Sequence, residues 1–119
     1  VKQPFNLGSL SQVAAIAAID DTAHQKKTLD VVRTGLNTLL AAFNRWGWTA
    51  LPTAANFIAV RPNQGSAEQF VQDLEKRGVI LRWLKSFGME EWFRISVGTS
   101  EENTLFITEA ERWRQAFTK

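Results

Sequence analysis

Cysteine is absent from the 119 residues. That excludes a disulfide framework as well as thiolate-based zinc or iron–sulfur sites, and it fits a cytoplasmic origin. No apolar run approaches the roughly 20 residues needed to cross a bilayer, and the N-terminus lacks the charged-then-apolar order of a secretory leader. No membrane association is expected. An excess of Pro, Gly and Ser is also missing. With 45% hydrophobic and 22% charged residues the composition is that of a folded chain. Neither sign of charge dominates: 14 Lys+Arg against 12 Asp+Glu leave +2, and the basic residues are spread out. A nucleic-acid partner is not indicated. The length suits one domain with a modest core. The opening Val1-Lys2-Gln3-Pro4-Phe5, without an initiator Met, reads as mid-protein sequence, so the chain is expected to be a fragment.

Catalytic constellations are scarce. His24 is the single histidine, set among Thr22, Gln25 and Lys26 with no triad partner in sight, and is expected on the surface. Asp20-Asp21 and Glu101-Glu102 are adjacent pairs, and neighbouring helix positions do not face one another, so neither forms a shared acid/base pair. The glycines make no phosphate-cradling pattern. No catalytic residue and no metal ligand set is assigned.

Periodicity lays out the elements. An Ala-rich segment from Ser9, the expected N-cap, to about Asp20 predicts a helix, its small residues suited to close packing against a neighbouring domain. Leu29, Val32, Leu36, Leu39, Leu40, Phe43 and Trp46 recur at three- and four-residue spacings and predict a long amphipathic helix stopped by Gly47. Strands are predicted over 48–51 and 56–61. Ser66 and Gln69 predict a capping box for a helix that stops at Gly78. Strands over 79–83 and 92–97 follow, joined by the loop 85–91. Thr99 and Glu102 predict a second capping box, opening a helix whose buried stripe is Phe106, Ala110, Trp113 and Phe117. This order predicts an α/β fold, α+β in stricter usage, with a small sheet of about four strands packed with helices. The domain boundary is expected near Gly8, with 1–8 a junction and 9–119 the domain.

Two arginines carry the site chemistry. Strand alternation sends Phe93, Ile95 and Val97 to one face, the core, and Trp92, Arg94 and Ser96 to the other. A guanidinium on a rigid strand is suited to grip a carboxylate or phosphate through two parallel hydrogen bonds. Arg82 on the preceding strand lies within reach, since paired strands run about 4.8 Å apart. The five tryptophans and eight phenylalanines are read as mostly core, with Trp83 and Trp92, beside the arginines, the alternative lining of such a pocket and Phe87 and Met89 its cover. Pattern alone favours a plainer outcome, in which both arginines make surface ion pairs with Glu90, Glu91 or Glu75 worth roughly 0–1 kcal/mol.

The motifs shift that balance. Gln3-Pro4-Phe5-Asn6-Leu7-Gly8-Ser9-Leu10, Asn56-Phe57, Gly78-Val79-Ile80-Leu81-Arg82 and Trp92-Phe93-Arg94-Ile95-Ser96-Val97-Gly98-Thr99 with Glu101-Glu102-Asn103 resemble, in order and spacing, the C-terminal third of histidinol-phosphate aminotransferases. The resemblance spans almost the entire chain. It implies the C-terminal small domain of a fold-type-I enzyme that uses pyridoxal phosphate to move an amino group between histidinol phosphate and 2-oxoglutarate. It implies that Arg94 binds the anionic group of either substrate and that Arg82 assists with the phosphate. A homodimer and an N-terminal cofactor-binding domain are implied as partners. The Schiff-base lysine lies upstream in that family, so the fragment alone is expected to hold no cofactor and to be inactive. The absence of tyrosine leaves related enzymes open, among them aromatic amino acid aminotransferases and threonine-phosphate decarboxylases. A stand-alone anion-sensing module is the remaining alternative.

Overall fold

Alanine-rich sequence makes the first helix, and a glycine rather than a serine opens it. In the computed structural model, which describes residues 7–117, α1 (Ser9–Asp20) has Gly8 as N-cap in extended conformation, and Ser9 takes the first helical position. A glycine needs no side-chain bond to leave the helical dihedrals, so the expected serine cap is displaced by one residue. Asp21 then ends α1, and its carboxylate accepts the backbone N–H of His24 at 2.8 Å, opening α2 (Thr22–Trp46). The adjacent acids are thus helix-terminal groups, and His24 is exposed.

The chain divides into two compact units between Val31 and Val32. In the first, no residue of α1 is buried, and Leu10, Val13, Ile16 and Ile19 stand open to solvent. In the second, the stretch of α2 beyond Val32 buries Gly35, Leu39, Ala42, Phe43 and Trp46. Leu29, expected in the same stripe, is exposed and belongs to the first unit. Gly47 stops the helix with φ of +70°, a conformation open to Gly without a Cβ penalty, and Trp48 N–H returns to Phe43 C=O at 2.9 Å.

Four short strands follow, β1 (Thr49–Ala50), β2 (Phe57–Arg61), β3 (Arg82–Trp83) and β4 (Phe93–Ser96), in the sheet order β1-β2-β4-β3 with every neighbouring pair antiparallel. The fold is α+β in the strict sense. Ile58, Val60, Phe93 and Ile95 project from one face into the core, where they meet Leu39 and Phe43 of α2, Phe70 and Leu74 of α3 (Ala67–Glu75), and Phe106, Ala110 and Trp113 of α4 (Ser100–Gln115). Phe117, the expected end of the α4 stripe, lies past the helix and is partly exposed, although its ring sits 4.6 Å from that of Trp113.

The two capping motifs differ. Thr99 and Glu102 form both halves of their box, with Thr99 N–H donating to the Glu102 carboxylate at 2.7 Å. At α3, Ser66 accepts the Gln69 N–H at 3.1 Å, but no return bond from Gln69 forms. A carboxylate accepts more strongly than a neutral carboxamide oxygen, which accounts for the difference.

Asp73 of α3 ties that helix to α4. The Lys76 ammonium at 3.1 Å, aided by the Trp113 indole N–H at 3.2 Å, holds its carboxyl below the usual carboxylate range against the opposing pull of burial. A carboxyl lowered in the folded state adds stability that is present above about pH 4 and is lost as pH falls through its folded value. Asp73→Asn is therefore expected to lower stability at pH 7 and to flatten its decline below pH 4. Urea unfolding at pH 7 and pH 3 checks this; an unchanged slope would count against the contact.

The predicted strand over 79–83 shortens to Arg82–Trp83. Val79 N–H closes the end of α3 on Leu74 C=O at 3.0 Å, and Ile80 is 84% exposed, so this stretch stays with the helix end and leaves β4 unpaired beyond Arg94 on that side. That departure from the sheet opens the site.

Candidate functional site

Arg82 and Arg94 are direct cross-strand partners. The Leu84 N–H to Trp92 C=O bond of 3.0 Å fixes the phase of the ladder, so the Arg82–Arg94 pair is a hydrogen-bonded one, with Cα atoms about 5.5 Å apart. Both side chains leave the sheet on the face opposite Phe93 and Ile95, which are buried. Two like charges directly opposed are unfavourable. Among the described residues neither guanidinium lies within 4 Å of a carboxylate, although five other cation–carboxylate contacts form.

Aromatic rings support them instead. The Arg94 guanidinium stands 5.0 Å from the centroid of Phe57, its diagonal neighbour on β2, and the Arg82 guanidinium 5.9 Å from that of Phe87. A cation over a ring face gains about 0.5–1 kcal/mol at exposed sites. Such support orients the planar group while leaving its N–H edge free to donate. Ala59, directly opposite Arg94, leaves room for the longer side chain.

The expected ion pairs with Glu90, Glu91 or Glu75 do not form. Glu91 pairs instead with Arg61 of β2 at 3.4 Å. The two tryptophans are also elsewhere. Trp83 pairs with Phe93 on the core-side face and donates its indole N–H to Glu90 C=O at 2.7 Å, while Trp92 lies under the Arg61 guanidinium at 5.5 Å. Alternation explains Trp83, one position from Arg82 and so on the opposite face, whereas Trp92 shares the face of Arg94 and is engaged there by Arg61. Phe87 does touch Arg82, through its ring, but neither it nor Met89 lines the cleft.

Where the segment before β3 splays from β4, a cleft of about 660 Å³ opens, lined by Ile80, Arg82, Arg94, Ser96, Gly98 and Asn103 among others. Its far wall is held by Asn103, which is buried and clasps Gly98 twice, accepting its N–H and donating to its C=O at 3.1 Å each. Gly35 of α2 fits beneath. A Cβ there would stand 2.3 Å from Val97 Cγ1 and 2.9 Å from Asn103 Nδ2. Neither residue was singled out from periodicity, although an interior glycine in an amphipathic helix is a known sign of close approach. Gly35→Ala gains about 1 kcal/mol of helix propensity and incurs overpacking of about 1–3 kcal/mol. A net destabilisation with a lowered Tm is expected by calorimetry; a raised Tm would show that the wall yields.

The fold is a small α+β domain with two opposed guanidiniums beside an open sheet edge. A family model described as aminotransferase class I and II matches residues 1–109, and the chain belongs to that family. It is 42% identical over 107 residues to a histidinol-phosphate aminotransferase of Moorella thermoacetica, covering 90% of this chain and 28% of that protein. It is 35% identical over 112 residues to histidinol-phosphate aminotransferase 1 of Dechloromonas aromatica, covering 94% and 30%. The chain thus spans about 30% of the length of these curated relatives. In structure it resembles the histidinol-phosphate aminotransferase of Clostridium acetobutylicum, with a TM-score of 0.79 at 22% identity over 90% of this chain and 33% of that one.

The family is in general pyridoxal-phosphate-dependent. Covalent capture of that coenzyme requires a lysine amine at the site, and among the described residues none lines the cleft. Lys26 and Lys27 lie exposed on α2, Lys76 is bonded to Asp73, and Lys85 stands over the Trp83 ring. Among the described residues, this cleft therefore offers no amine for covalent attachment of the coenzyme. The Pro4-Phe5-Asn6 stretch lies outside the described residues.

Proposed function

We propose that this chain is the substrate-anion-binding small domain of a pyridoxal-phosphate-dependent aminotransferase that exchanges an amino group between histidinol phosphate and 2-oxoglutarate. Residues 9–119 make up the domain, and 1–8 form the junction to a cofactor-binding large domain. The observation that carries this reading is the opposed pair Arg82 and Arg94, supported by phenylalanine rings, without carboxylate partners among the described residues, at the mouth of a cleft. The identity to named relatives over about nine-tenths of the chain supports the choice of reaction.

Arg94 presents two parallel N–H groups that suit either a carboxylate or a phosphate, so one residue can receive both substrates in turn. Arg82 adds the second positive charge that a phosphate dianion calls for. Closure of this domain over the site would exclude water and strengthen both contacts. The amine chemistry falls to the lysine-bearing large domain, in a homodimer in the cytoplasm, and the chain alone is inactive. The test is NMR titration of this chain with glutamate and with inorganic phosphate. Shifts of the Arg94 and Arg82 Nε–H signals are expected with both; an absence of shifts with either anion overturns the reading.

A further inference from the structure

The register of β4 leaves one polar residue of the cleft without a role. In the β2–β4 ladder, Val97 N–H donates to Asn56 C=O at 2.8 Å, and Ile58 pairs with Ile95 and Val60 with Phe93. The main-chain groups of residues 93, 95 and 97 therefore point toward β2, and those of 94 and 96 toward the β3 edge. Arg94 meets Arg82 there. Continued by two residues, the ladder would bring Ser96 against Ile80, but β3 begins only at Arg82 and Ile80 is 84% exposed. Among the described residues the Ser96 N–H thus has no main-chain partner. Its hydroxyl, exposed and two residues from Arg94, stands on the same face as both guanidiniums, opposite Phe57 whose ring supports Arg94. Ser96 also lines the cleft.

We propose that Ser96 is the residue that makes this cleft favour a phosphate monoester over a carboxylate, donating its unpaired amide N–H and its hydroxyl to an oxygen the arginines leave over. The inference rests on the anion-binding reading above and adds the residue that tells its two anions apart. A carboxylate has two oxygens in one plane and is satisfied by a single guanidinium fork. A phosphate monoester carries close to two negative charges at neutral pH and three terminal oxygens. Two opposed guanidiniums balance that charge, yet each is planar, and a tetrahedral group keeps an oxygen out of their planes. Ser96 lies about 7 Å along the strand from Arg94, within the span of a phosphate held between them. It brings two donors to that side, and its C=O on the same edge is left to water. An amide freed by the early departure of the neighbouring strand is a fixed donor whose placement costs nothing on binding.

The test compares inorganic phosphate with acetate on the full chain by NMR, in the wild type and in Ser96→Ala, Ser96→Thr and Arg94→Ala. Phosphate, and not acetate, is expected to shift the Ser96 amide signal. Ser96→Ala is expected to weaken phosphate about tenfold, the worth of one hydrogen bond to a charged group, and to leave acetate within about twofold. Ser96→Thr, which keeps the hydroxyl, is expected to restore phosphate affinity. Equal effects of Ser96→Ala on both anions, or none on either while Arg94→Ala weakens both, overturn the role of Ser96 and leave the anion site standing. Phosphate binding that survives Arg94→Ala unchanged, or no binding by the wild type, overturns the anion-site reading and the selectivity with it. An altered amide fingerprint in Ser96→Ala directs the comparison to the Thr variant, whose failure to retain selectivity counts against the hydroxyl.

Discussion

Replacing Arg94 with Ala is expected to weaken phosphate binding by about 100-fold, the largest loss from any single change in the cleft. Two charge-assisted hydrogen bonds disappear together, each worth about 1.5–3 kcal/mol, partly offset by water entering the half-exposed space. A loss of about 2–3 kcal/mol corresponds to that factor. Arg94→Lys separates charge from geometry. It retains the cation but forfeits the fork, and stands over Phe57 with a compact ammonium where a planar group now lies 5.0 Å from the ring. Binding at about a tenth of the wild-type strength is expected. Stability should hold in both variants, because neither loses a carboxylate partner, and relief of the repulsion with Arg82 favours the Ala form. Isothermal titration beside thermal unfolding checks both parts. If Arg94→Ala unfolds the chain and leaves anion affinity alone, the residue is structural.

The second large effect falls on the core. Phe70 of α3 is fully buried, with ring centroids at 5.1 Å from Trp48, 4.8 Å from Phe93, 4.9 Å from Trp113 and 6.3 Å from Phe106. It thereby joins the sheet, the turn after α2, and α4. Phe70→Ala removes that ring from a site walled by large rigid groups that collapse poorly, so a cost of about 3–5 kcal/mol is expected. Domains of this size hold about 5–15 kcal/mol in all. A shift of the urea midpoint by about a fifth of its value or more should follow, and a midpoint that stays in place would mean that the aromatic cluster repacks. The Arg94 and Phe70 effects are separable, since Arg94 leaves the sheet on the cleft side and Phe70 of α3 packs against the core side.

Local signals in this chain carry through to the fold where one residue type has one physical consequence. Gly47 with positive φ ends α2, Thr99 with Glu102 starts α4, and the alternation from Phe93 to Ser96 sorts core from cleft, each as its sequence implies. They do not carry through where two groups compete for one place. Gly8 took the cap assigned to Ser9, and Gln69 left its half of a box undone. Val79, strand-like by composition, was drawn to the end of α3. The partners of the arginines are illegible locally for the same reason, since Arg61, 30 residues from Glu91 in sequence, is the cation that Glu91 meets.

From the sequence alone came the order of helices and strands, the face on which Arg94 lies, and the motifs shared with the aminotransferases, because dihedral preference, side-chain period and residue identity are properties of short stretches. The tertiary structure alone decided that Arg82 stands directly opposite Arg94, that β3 leaves β4 early enough to open a cleft and free the Ser96 amide, and that Gly35 must stay small. Those are matters of register and approach between segments distant in the chain, and they are settled by which surfaces the core brings together.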